Sequence, residues 1–137
     1  MSPLPLPRPR HPAVQEPVAS FDVTTTAEAA VLSATGELDI SVIGHFAGLI
    51  EHELALRPRA LVVDASAVTF CAARALTVLL NSAADAHAAG VPFAVVTRSR
   101  AVLRPLAVLG FERVLPVHGD LAEALDWLAL LPGLTSR

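Results

Sequence analysis

Short continuous apolar runs alternate along this chain with longer stretches whose apolar residues recur at helical spacing. Phe21 to Thr26 (FDVTTT) is short and rich in β-branched residues, and Ala29 to Leu38 (AAVLSATGEL) is an apolar run closed by Gly36; both read as strands. From Ile40 the period changes. Ile43, Phe46, Ile50 and Leu54 fall on one stripe, which predicts an amphipathic helix with Asp39 in front of it as N-cap. Leu61 to Val63 is compact and uniformly apolar, as expected of a central strand buried on both faces. The stretch from Cys71 to Ala89 is rich in Ala and Leu and predicts a second helix ending at Gly90, a residue suited to the left-handed position after a helix.

Val91 to Thr97 reads as another buried strand, Ser99 to Gly110 as a short helix between a cap and a stop, and Arg113 to Val117 as a final strand. A last helix follows Asp120 as its cap. Pro105 removes one ladder bond and crowds the preceding turn, so the third helix is predicted to start late, kink or break. Two strands followed by helix, strand, helix, strand, helix, strand, helix predict an α/β domain. Its sheet is mixed and largely parallel, with about five strands, four helices and right-handed crossovers.

Composition adds boundaries and exclusions. Six of the eleven prolines lie in the first 17 residues, where fixed φ and missing donors oppose helix and strand. Residues 1–18 therefore read as a disordered Pro-rich tail, 19–131 as the domain and 132–137 as a short C-terminal tail. Alternating Leu and Pro in that first tail also suit a proline-recognition ligand. With 53% hydrophobic and 17% charged residues the chain has ample material for one core. A net charge of -3 and a pI near 5.9 argue against nucleic-acid binding, which favours a basic footprint. Cys71 is the single cysteine and cannot form an internal disulfide, and no leader pattern or membrane-length apolar stretch is visible; the expectation is a cytoplasmic protein without a membrane span.

Candidate chemistry is sparse. No nucleophile stands at a recognisable spacing from a base, and no glycine-rich phosphate loop or paired carboxylates occur, so the chain does not read as an enzyme and no cofactor is implied. His45 and His52 share a helix face, but two turns hold them ~10 Å apart, too far for one metal ion without a ligand between them. His87 and His118 lack companions of the right type. Asp64 is expected to end the central strand and accept backbone N–H bonds of the turn after it. Cys71 is read as a buried apolar residue, with a redox-sensing thiol as the alternative. Trp127 falls off the core stripe of the last helix, as an exposed partner surface or as a cover over the tail or the first helix.

Three stretches taken in order carry a family resemblance: GELDI at Gly36 to Ile40, LVVDASAVTF at Leu61 to Phe70, and SRAVLRPLAVLGFERVLPV at Ser99 to Val117 with its trailing DLAEAL. In this order and at these separations the chain, over about residues 20–130, resembles the STAS domain family of anti-sigma-factor antagonists. The resemblance implies a STAS-like domain and a protein that binds an anti-sigma factor of the ATP-binding kinase type and so regulates transcription indirectly. Typical phospho-regulated members read F-hydrophobic-D-S-S/T-G-L-G after the central strand, whereas this chain reads Phe70-Cys71-Ala72-Ala73-Arg74-Ala75-Leu76-Thr77. Ala73 and Arg74 stand at the acceptor positions, and neither side chain can accept phosphate. The resemblance thus implies an antagonist that is not itself phosphorylated; the alternative is a non-phosphorylatable scaffold docking other STAS proteins in a signalling complex. Its partner-binding residues would be Asp39, Ser66, Thr69, Cys71, Ala72, Ala73, Arg74 and Thr77. Arg74 opposes the dipole at a helix N-terminus, at a cost of ~0.3–1 kcal/mol. It reflects either selection for an acidic partner or drift after phosphorylation was lost.

Overall fold

A computed structural model describes residues 18–131. Its elements run β1 (Ala19–Thr25), β2 (Ala30–Leu38), α1 (Ile43–Ala55), β3 (Leu61–Cys71), α2 (Ala73–Ala89), β4 (Phe93–Val96), α3 (Arg100–Leu109), β5 (Val117–His118) and α4 (Leu121–Ala129). This is the order predicted from sequence. The five strands lie side by side as β1-β2-β3-β4-β5, with β1 antiparallel to β2 and the other pairs parallel.

Side-chain alternation along β3 divides the core in two. Leu61 and Val63 join Phe46, Ile50, Leu76, Leu79, Val102 and Leu106 beneath α1, α2 and α3, whereas Val62 joins Val31, Ala94 and Val96 beneath Ala124 and Leu128 of α4. The central strands are therefore covered on both faces, as their continuous apolar runs required. Each large side chain so buried contributes about 1.5–3 kcal/mol. Phe21 stacks on Phe46 with ring centroids 5.6 Å apart and fastens the edge strand β1 to α1.

The central strand is much longer than Leu61 to Val63. It runs on to Cys71 because β2 pairs with it throughout, well past the end of β4. Two bulges make this possible. Between the pairs Ser33–Asp64 and Thr35–Ala67, and again between Gly36–Val68 and Glu37–Phe70, β3 carries one residue more than β2. Asp64 thus lies within the strand rather than at its end, and its Oδ1 accepts the Ser66 N–H at 3.0 Å beside the first bulge. At the second bulge Gly36 has φ +97°, and an added Cβ there would collide with the Val18 carbonyl oxygen. That same oxygen accepts the Glu37 N–H at 2.7 Å.

Helix ends follow their capping residues. Ser99 accepts the Ala101 N–H at 3.2 Å, Asp120 accepts the Glu123 N–H at 2.8 Å, and Gly90 and Gly110 close α2 and α3 in the left-handed region. Asp39 caps a single 3-10 turn, Ile40–Val42, and the α-helix proper begins after it at Ile43. Contrary to the sequence expectation, α3 neither starts late nor breaks at Pro105. Val102 and Leu106, buried on either side of the proline, hold the helix while one ladder bond is lost. The last strand is shorter than predicted: Phe111–Arg113 forms a 3-10 turn, leaving Val117 and His118 to pair with Val95 and Val96. Trp127 neither stands free in solvent nor covers α1; it is half-buried with its ring centroid 5.1 Å from that of His118. The two predicted tails, apart from Val18, lie outside the described residues.

Candidate functional site

The long β3 delivers its C-terminal end beside that of β2, and a backbone bond joins the two: the Ala72 N–H donates to the Leu38 carbonyl at 2.9 Å. Asp39 follows Leu38 and Ala73 follows Ala72. The start of α2 is thereby held against the 3-10 turn that leads into α1. Asp39 is half-buried, and its Oδ1 accepts the Ser41 N–H at 2.9 Å and the Ser41 hydroxyl. Its carboxylate is thus committed to organising the turn, which leaves Ile40 on the surface, 69% exposed.

Ala72 is the extended residue before α2 and offers no side-chain cap, and the first turn holds no acidic residue. The first helical N–H groups, including those of Ala73 and Arg74, therefore lack a partner within the helix, and the guanidinium of the exposed Arg74 adds positive charge there. Alanine in place of turn-forming residues lets the helix begin immediately at Ala73. Thr77, one turn on, is exposed, and its hydroxyl donates to the Ala73 carbonyl at 3.4 Å. Neither Ala73 nor Arg74 presents a hydroxyl at the head of this helix.

Of the predicted site residues, Asp39, Ala72, Ala73, Arg74 and Thr77 come together at this end of the sheet, with the exposed Thr69 just before them on β3. Ser66 is exposed at the first bulge, roughly 15 Å back along the strand at about 3.3 Å per residue. Cys71 lies at the centre of the group in sequence but faces inward, 6% exposed within the main core. Burial raises its thiol from an ordinary 9.0 to about 11, so the group is a neutral core residue at neutral pH, with neither a reactive thiolate nor a surface contact to offer. Sequence reasoning missed Phe70 as a surface residue. It is 50% exposed because the second bulge shifts the side-chain phase of β3, leaving Val68 and Cys71 inward and Phe70 outward. The extra residue lies on β3, opposite Gly36 and Glu37 of β2, and the local spacing of β3 carries no signal for it.

Among the described residues no group of three or more His, Cys, Asp or Glu could hold a metal ion. No helix among them is long and apolar enough to cross a membrane. His118, at the far edge of the sheet, has its Nδ1 3.5 Å from the Glu123 carboxylate, in a corner where Glu123 also accepts the Gly119 N–H.

A family model described as Mlab, STAS domain, matches residues 21–117. The anti-sigma-F factor antagonist RsfB of Mycobacterium tuberculosis is 32% identical over 96 residues, covering 70% of this chain and 78% of that protein. RsfA, another anti-sigma-F factor antagonist of that organism, is 32% identical over 100 residues, covering 72% and 78%. Among solved structures, an anti-sigma factor antagonist from Mycobacterium paratuberculosis superimposes with a TM-score of 0.74 at 27% identity, over 81% of this chain and 94% of that one.

Proposed function

Since the chain belongs to the STAS domain family, we propose that it acts as an anti-sigma-factor antagonist: it binds an anti-sigma factor through the C-terminal end of β2 and β3 and the first turn of α2. One observation carries the reading. Ile40 and Phe70, each two residues from the Ala72–Leu38 bond, are exposed where that bond holds a helix start with no phosphorylatable side chain at Ala73 or Arg74. Two exposed apolar side chains beside uncapped N–H groups form a surface that gains by being covered. The protein works by occupancy and catalyses nothing, so transcription changes through the sigma factor that the partner releases.

Regulation by phosphate in such a loop acts through a dianion that repels or obstructs the partner. Ala73 cannot acquire that charge, and Arg74 presents the opposite one. Binding is therefore constitutive, set by the amounts of the two proteins. Its folding unit is residues 19–131, and its partner is an anti-sigma factor of the ATP-binding kinase type in the cytoplasm. Calorimetric titration against that anti-sigma factor tests this directly. The expected result is saturable binding that Phe70→Ala weakens about tenfold or more, in the range of a well-packed interface anchor, with the fold intact by circular dichroism. Absence of binding by the unaltered protein, or equal binding by Phe70→Ala, would overturn the assignment of this surface.

A further inference from the structure

Charge is distributed unevenly over the described residues. Between Ala65 and Gly110 stand Arg74, Arg98, Arg100 and Arg104 with one carboxylate, Asp85, a net of +3; the remaining described residues carry eleven carboxylates against Arg57, Arg59 and Arg113, a net of −8. Asp85 does not neutralise the cluster, because it lies about 16 Å along α2 from Arg74. The fold gathers the arginines at one end of the sheet. The Ser99 hydroxyl donates to the Val68 carbonyl at 2.7 Å, which sets the first turn of α3 against the last residues of β3, three positions before Cys71. Arg100 and Arg104, one turn apart, share an exposed face of α3 and lie at the same end of the sheet at which Arg74 opens α2. Arg98 is engaged with the Gly119 carbonyl and with Asp120. Arg74, Arg100 and Arg104 take part in none of the ion pairs among the described residues.

We propose that Arg74, Arg100 and Arg104 form an electrostatic docking strip for an acidic patch on a protein partner, which, on the reading above, is the anti-sigma factor. Two features select a compact acidic protein patch over a polyanion. The strip is short, and it is bordered across β2 by Glu37 and Asp39, so a continuous phosphate backbone laid along it meets carboxylates. A partner with a limited acidic area beside neutral or basic groups matches both halves. Leu103, exposed and one turn from Arg100 on α3, and Phe70, exposed near the end of β3, supply apolar contact once the charges have aligned the two surfaces. Charges at the rim of an interface act chiefly on the rate of association, and that contribution is screened by salt.

The test is stopped-flow association of the full chain with the anti-sigma factor at 50, 150 and 500 mM NaCl, with Arg100→Glu/Arg104→Glu and Arg74→Ala beside it and Arg113→Glu as a charge change outside the strip. The strip predicts a fall in association rate of about tenfold or more across that salt range. Charge reversal should slow association by a similar factor at 50 mM and flatten the salt dependence, and Arg113→Glu should stay within about twofold of the unaltered protein. Circular dichroism confirms the fold of each variant, with Arg100→Gln/Arg104→Gln replacing the reversal if it unfolds. Binding that persists with rates insensitive to salt and to these arginines overturns the strip while leaving the antagonist reading intact. Failure of the unaltered protein to bind the anti-sigma factor, or arginine-dependent retention of a 20-base-pair DNA duplex or of phosphatidylserine vesicles in its place, overturns both.

Discussion

Gly36→Ala loads a backbone position of β2 that lies opposite the second bulge of β3 and in close contact with Val18, just before β1. Gly36 has φ +97°, and the Cβ that alanine brings would strike the Val18 carbonyl oxygen, a backbone atom already engaged by the Glu37 N–H. Holding a non-glycine residue in that region costs ~1–3 kcal/mol. Forcing apart a packed contact costs a further ~1–3 kcal/mol, so the sum is about 2–6 kcal/mol out of the ~5–15 kcal/mol that holds a domain of this kind together. Gly90 and Gly110 are internal references: their φ values of +75° and +73° impose strain, but nothing lies within 4 Å of an added Cβ. Alanine there should cost ~1–2 kcal/mol. Urea unfolding followed by far-ultraviolet circular dichroism and by the fluorescence of Trp127, the chain's one tryptophan, measures all three. The expected order is Gly36→Ala far below Gly90→Ala and Gly110→Ala, with its midpoint lowered by about 1–3 M at an ordinary urea slope. A Gly36→Ala loss under about 0.5 kcal/mol, or one equal to that at Gly90, would refute the close packing of Gly36 against the Val18 carbonyl.

Cys71 makes a pH prediction with an unusually clean background, because the chain contains no tyrosine and no lysine to titrate alongside it. The folded thiol is raised to about 11 from an ordinary 9.0, so the folded state holds its proton more tightly than the unfolded one. Stability should be unaffected below pH 9 and fall by about 2–3 kcal/mol between pH 9 and 11, a loss that Cys71→Ala removes. Native Cys71 should also react with a thiol reagent at pH 8 far more slowly than the unfolded chain. Thr97→Val should cost about 1–3 kcal/mol in urea unfolding, because the buried hydroxyl donates to the Ala65 carbonyl and accepts the Ser99 N–H, both at 3.0 Å. In hydrogen exchange, Val62, Val63, Val95 and Val96 should be among the slowest amides, and fast exchange there would contradict the covered central strands.

Most of the fold was legible because its signals are local. The apolar stripe Ile43, Phe46, Ile50 and Leu54, the caps Ser99 and Asp120 and the stops Gly90 and Gly110 act within a turn or two of themselves, and each stands where it was expected. The departures are tertiary. Leu61 to Val63 gave no hint of an 11-residue strand, since its second half is polar on the outside and is held by pairing with β2 across two bulges. Pro105 continues its helix because buried neighbours outweigh one missing bond. At the site, the absence of an acceptor hydroxyl at Ala73 and Arg74 could be read directly, whereas the inward turn of Cys71 and the outward turn of Phe70 follow from a register that local spacing does not encode.

Intact-protein mass spectrometry of the full chain after incubation with the proposed ATP-binding anti-sigma factor and ATP, with complex formation measured on the same samples, bears most directly on the proposed constitutive antagonism. The account predicts an unchanged mass and undiminished binding as ATP turns over. It further predicts that Ala72→Asp, Ala73→Ser, Arg74→Ser and Ala75→Gly together create a chain that gains phosphate and loses binding, despite about 0.5–1 kcal/mol of helix stability lost at the buried Ala75. Phosphate on Thr69 or Thr77 of the unaltered chain, or loss of its binding as ATP is consumed, would contradict the account.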